Sequence, residues 1–146
     1  MSLVVDASIA LKWFLLDEPL ASQAIAAFEN GGNLIASDFL IAKMCNGAWR
    51  STGLGRISRA QVDEIATGLR RFFDKLVSAA RLPRRASAIA GQLDHPVYDC
   101  SYLALAEAEQ ANLVTADLRL ADKVRGTTWE QIVVHLGSYD PGSPDP

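Results

Sequence analysis

Two short apolar runs that each end on an aspartate restrict this chain to few folds. Leu3-Val4-Val5 stops at Asp6, and Leu113-Val114-Thr115-Ala116 stops at Asp117. Runs this short, rich in Val and lacking polar alternation, read as strands buried on both faces, which is the habit of a parallel sheet. Parallel strands need long crossovers, and helical patterns fill the rest of the chain. Apolar spacing or helix-forming composition predicts helices over about 7–16, 19–30, 38–52, 58–79, 84–93, 97–110 and 117–123, with further strands at 33–36 and 130–136. Pro19 suits a first helical turn, Gly31-Gly32 an exit, Ser37 or Asp38 a cap, and Ser58 another cap. The expected architecture is a three-layer α/β/α sandwich on a mostly parallel sheet. One domain over 1–136 is expected, with 137–146, rich in Pro and Gly, expected to form a flexible tail.

With 146 residues, 49% hydrophobic and 21% charged, the chain builds one core and is neither collagenous, coiled-coil nor wholly disordered. Its apolar opening is broken by Asp6 and Lys12 and has no basic region before it, so no signal peptide is expected. No stretch of about 18 uncharged apolar residues exists to cross a membrane, and a cytoplasmic location is expected. Cys45 and Cys100 are far apart, sit among apolar neighbours and read as buried thiols.

The net charge is −3, yet its distribution is uneven. Between Arg56 and Arg85 lie eight basic and three acidic residues, leaving the remainder strongly acidic. A basic lobe beside an acidic pocket suits a phosphate polymer led to a metal centre. Arginines that merely solvate helix faces, or bind an acidic partner, would look the same. Arg56, Arg70, Arg71, Arg81, Arg84 and Arg85 are the candidate contacts to such a phosphate polymer.

The acids carry the chemistry. Asp6 and Asp117 sit where parallel sheets place ligands, beyond the carboxyl ends of strands. Asp99 opens a helix whose following turns carry Tyr102, Leu103 and Ala106, and a carboxylate on so apolar a face needs a partner or an ion. Ser8 and Thr115 are placed to hold a carboxylate or a water. Asp6 and Asp99 also have plainer explanations, Asp6 as a helix cap and Asp99 as complement to a helix dipole. Gathered together they would repel one another, and such an oxygen-rich set suits Mg²⁺ or Mn²⁺ better than zinc. His135 alternates into an apolar strand and reads as structural, while His95 in the Asp94-His95-Pro96 turn is at most a substrate contact. Neither phosphate-loop fingerprint is present.

Four segments, LVVDAS, ASDFLIAKMCNGAW, VYDCSYLALAEAE and LVTADLRLA, together resemble the PIN domain, in particular the VapC-like toxins of bacterial toxin–antitoxin pairs. The likeness runs from Ser2 to about Leu136. It implies magnesium-dependent RNA cleavage, homodimerisation, an antitoxin that wraps the toxin, and metal-binding acids at Asp6, Asp99 and Asp117. The family's second block normally carries a glutamate where this chain has Lys43, while Asn46 remains nearby. Lys43 is therefore expected to point into the pocket and contact a carboxylate, or else to snorkel to solvent. A metal-dependent endoribonuclease with weakened metal binding is the expected function. The alternative is a weak or inactive PIN-like module that binds RNA or a protein.

Overall fold

The computed structural model describes residues 1–140. Five strands, β1 (Ser2–Val5), β2 (Asn33–Ser37), β3 (Lys75–Val77), β4 (Asn112–Thr115) and β5 (Val133–His135), form one sheet in the order β3-β2-β1-β4-β5. Every pairing is parallel. The first strand is thus central, the next two build outward on one side, and the last two on the other. Strand order reverses between β1 and β4, and the crevice beyond that point is where doubly wound sheets bind ligands.

The described residues form seven α-helices: α1 (Ala7–Lys12), α2 (Ala21–Asn30), α3 (Phe39–Gly53), α4 (Arg59–Gly68), α5 (Pro83–Leu93), α6 (Val97–Glu109) and α7 (Leu118–Lys123). Period-two alternation in the strands divides them into two layers. Leu3, Val5, Leu34, Ala36 and Val114 face a core shared with α1–α4. Val4, Ile35 and Leu113 face the opposite core, built from α5, α6 and α7. The expected three-layer α/β/α sandwich is the fold.

Local signals hold in several places. Ser58 accepts from the Gln61 backbone while the Gln61 side chain accepts from the Ser58 N–H, a reciprocal cap at the start of α4. Gly32 leaves α2 with φ +76°, and a Cβ there would meet the Met1 carbonyl at 2.4 Å.

The region predicted as one helix over 58–79 is different. After α4 the chain makes a 3₁₀ turn over Leu69–Phe72 and then becomes β3, an edge strand. Asp74 fixes this change: its N–H donates to the Leu34 carbonyl at 2.9 Å, and its carboxylate accepts the Leu34 N–H at 2.8 Å. Leu69 and Phe73 still reach the core, so an apolar spacing that mimics a helix is satisfied by a turn followed by a strand. Elsewhere α1 stops at Lys12, α2 begins at Ala21, and β5 covers only the latter part of 130–136. Of the expected flexible tail, Gly137 and Ser138 lie in a short 3₁₀ turn and Tyr139 is buried, while 141–146 lie outside the described residues.

Trp13 and Phe14 pack within the chain. Trp13 sits 5.1 Å from the Phe28 ring, 6.1 Å from Phe72 and 5.9 Å from Phe73, and donates its indole N–H to the Ala24 carbonyl. Phe14 meets Phe72 edge-on.

Candidate active site

Asp6 is the first residue beyond β1 and also the N-cap of α1, so the capping and site readings describe the same carboxylate. One oxygen accepts the Ile9 N–H at 3.1 Å and the Ser8 hydroxyl; the other accepts the Thr115 hydroxyl at 2.6 Å. Only 7% of Asp6 is exposed, and burial pushes its carboxyl above the ordinary range against the pull of these hydrogen bonds and of the Lys43 charge. Thr115 ends β4, and its hydroxyl also accepts the Asp117 N–H at 3.1 Å. One buried hydroxyl thereby ties together the turns after β1 and β4, on either side of the sheet's switch point.

Asp117 caps α7 through the Arg119 N–H at 2.9 Å, with the Arg119 Nε 3.5 Å from the same oxygen. Asp99 enters from the first turn of α6 and lies 2.9 Å from His95 Nε2. His95, Asp99 and Asp117 can each offer one ligating atom within 4.8 Å of the others. The three expected acids therefore divide. Asp99 and Asp117 converge with His95, while Asp6 adjoins them through Thr115, both its oxygens engaged in hydrogen bonds. Tyr102 senses both sides: burial chiefly, and then the charges of Asp6 and Asp99, push its hydroxyl up.

His95 is the residue that sequence reasoning undervalued. Its side chain is 6% exposed, and it stands four residues before Asp99. A signal was present in that spacing, because a histidine in the turn before a helix meets an acid in the first turn. His135 is structural as expected, with Nδ1 accepting the Gly137 N–H and Nε2 near the Ala116 carbonyl. Both cysteines are free thiols; Cys100 is buried and its thiol is raised to about 11, chiefly by burial, whereas Cys45 is half-buried.

Lys43 departs from expectation. It is half-buried on α3, but among the described residues it makes no ion pair within 4.0 Å. Its ammonium lies 5.6 Å from the centre of the Tyr102 ring. The aromatic face takes the charge, and a lysine stem is long enough to reach it. Asn46, one turn further on, is exposed.

The candidate RNA-binding arginines also divide. Arg56 bridges to Asp17 at 2.7 Å and Glu18 at 2.8 Å, and Arg85 to Glu107 at 2.7 Å, which commits both to partners within the chain. Arg70, Arg71, Arg81 and Arg84 are exposed and in no ion pair among the described residues. Arg70 and Arg71 precede β3 and Arg81 and Arg84 follow it, so the second pair comes after the strand's carboxyl end, where the acids lie.

Two carboxylates and one imidazole, with a third carboxylate tied beside them, form a donor set that can hold a divalent metal ion. A doubly wound parallel sheet with acids gathered at its switch point is the class that fold and site define. Within it, the PIN domain model matches residues 3–126, and the chain belongs to that family. Ribonuclease VapC3 of Pyrobaculum aerophilum is 32% identical over 125 residues, covering 84% of this chain and 95% of the relative. Among solved structures, a toxin–antitoxin complex from Klebsiella pneumoniae superposes with TM-score 0.63 at 16% identity, covering 91% of this chain and 96% of that one. The sarcin-ricin loop cleaving toxin VapC20 of Mycobacterium tuberculosis does so with TM-score 0.65 at 15% identity, covering 87% and 97%. No helix among the described residues is long and apolar enough to cross a membrane.

Proposed function

We propose that this protein is an endoribonuclease, the cytoplasmic toxin of a toxin–antitoxin pair, acting with Mg²⁺ or Mn²⁺ held by Asp99, Asp117 and His95 with Asp6 beside them. The observation that carries the reading is the gathering of His95, Asp99 and Asp117 at the switch point of a PIN domain whose relative over 84% of the chain is named a ribonuclease. A divalent cation bound there supplies Lewis acidity toward a phosphate and makes a nearby water more acidic. The side chains do the rest. Asp99 fixes the His95 ring, Thr115 and Ser8 hold Asp6 still, and Arg81 with Arg84 draw the RNA backbone toward the crevice. Lys43 adds a positive charge where the family pattern has a carboxylate, lowering the attraction for a cation while assisting phosphate electrostatically.

The test joins calorimetric titration with Mg²⁺ and Mn²⁺ to cleavage of single-stranded RNA. Wild type is expected to cleave in a metal-dependent way and to stop with EDTA. Lys43→Glu is expected to bind metal at least about tenfold more tightly, roughly 1.4 kcal/mol, and to cleave faster; adding Asp6→Asn to it should remove cleavage. Unchanged metal affinity in Lys43→Glu would defeat the role given to Lys43. Absence of cleavage in wild type and Lys43→Glu alike would leave a binding module instead.

A further inference from the structure

Beside the acids lies an aromatic surface that the chemistry above does not use. Tyr98, immediately before Asp99, stacks on Phe39 with the ring planes 13° apart and centroids at 5.9 Å. Despite that contact Tyr98 remains 65% exposed, and Val97 next to it is 42% exposed. The pair borders a recess of ≈ 200 Å³ that Leu82 and Pro83 help to line, where the starts of α3, α5 and α6 meet. Arg81 and Arg84 flank Leu82 and Pro83 in the chain, and neither has an acidic partner among the described residues. Tyr98 shares with Trp49 the greatest exposure of any aromatic residue described, and it stands one residue from a site acid.

We propose that Phe39 and Tyr98 form a stacking platform for a nucleobase of single-stranded RNA next to the scissile phosphate. The inference rests on the ribonuclease reading and adds a subsite to it. A flat π face accepts any base, and exposed cationic side chains after β3 suit the backbone that joins successive bases. Tyr98 precedes Asp99 in the first turn of α6, so a base on its ring would be held close to the acids. Duplex RNA offers no free base face, so the platform selects unpaired substrate.

The test uses the full-length protein in EDTA and single-stranded RNA oligonucleotides carrying 2-aminopurine at successive positions. One position should be quenched on binding. Tyr98→Ala should abolish that quench and weaken binding about tenfold, or 1.4 kcal/mol, and Tyr98→Trp should restore both. Trp49→Ala, which removes an aromatic ring as exposed as Tyr98, should change neither. Parallel cleavage assays with Mg²⁺ separate the two ideas. Cleavage by wild type with no effect of Tyr98→Ala on quench or affinity would overturn the platform and leave the nuclease standing. Tyr98-dependent quenching without any wild-type cleavage would support the platform and overturn the nuclease. Weakened binding accompanied by a loss of oligomer mass in light scattering would assign Tyr98 to a subunit contact and overturn the platform.

Discussion

At the scale of single residues, Asp6 sets stability against function. Burial raises its carboxyl pKa above the unfolded value of about 3.9. The folded protein then holds that proton more tightly than the unfolded chain does. The stability this confers is complete below the unfolded pKa and is lost as pH rises through the folded one. Asp6→Asn removes the titration and keeps an acceptor for Ile9 and Ser8 and a donor for Thr115. Thermal unfolding from pH 4 to pH 8 should show Asp6→Asn more stable than wild type near neutrality, with the advantage fading toward pH 4, while RNA cleavage falls. A lower midpoint for Asp6→Asn at neutral pH would contradict this account. Asp6 and Asp117 were legible because each closes its own strand, a local signal. His95 was legible only in its spacing to Asp99, which gains meaning once the helix after it aims that acid back. The aim of Lys43 was hidden, since the aromatic face that attracts it lies on a helix some 60 residues away.

At the scale of elements, helix ends carry strain that can be removed. Gln110 ends α6 in the left-handed region at φ 51°, a conformation that penalises a side chain and that glycine adopts freely. Gln110 is exposed, so little packing opposes a change. Gln110→Gly should raise unfolding free energy by about 1 kcal/mol in urea titrations, with cleavage unaltered. Destabilisation would mean that the Gln110 side chain makes a contribution outweighing its backbone. Strands β1, β2 and β4 were readable from their unbroken apolar runs, buried on both faces. Edge strand β3 was not, because three residues flanked by a turn offer no period to detect. Its pairing depends instead on Asp74 meeting Leu34, 40 positions away in the chain.

For the whole molecule, the family resemblance implies a homodimer, and Trp13 and Phe14 contribute to packing within the chain. Exposed Leu16, Leu54 and Leu118 remain available to a second copy or to an antitoxin. Light scattering across micromolar concentrations should give twice the chain mass of 15.8 kDa. A constant monomer mass would overturn the expected homodimer. The doubly wound topology itself was foreseeable, since a parallel sheet covered on both faces admits few alternatives.

The order in which the strands are laid down has a consequence during synthesis. The first aspartate leaves the ribosome with β1, but Asp99, Thr115 and Asp117 follow only after most of the chain has been made. Until β4 docks beside β1, the Thr115 hydroxyl cannot reach Asp6 and His95 has no Asp117 to face. A nascent chain therefore cannot assemble the acidic site until β4 has been made and has docked beside β1.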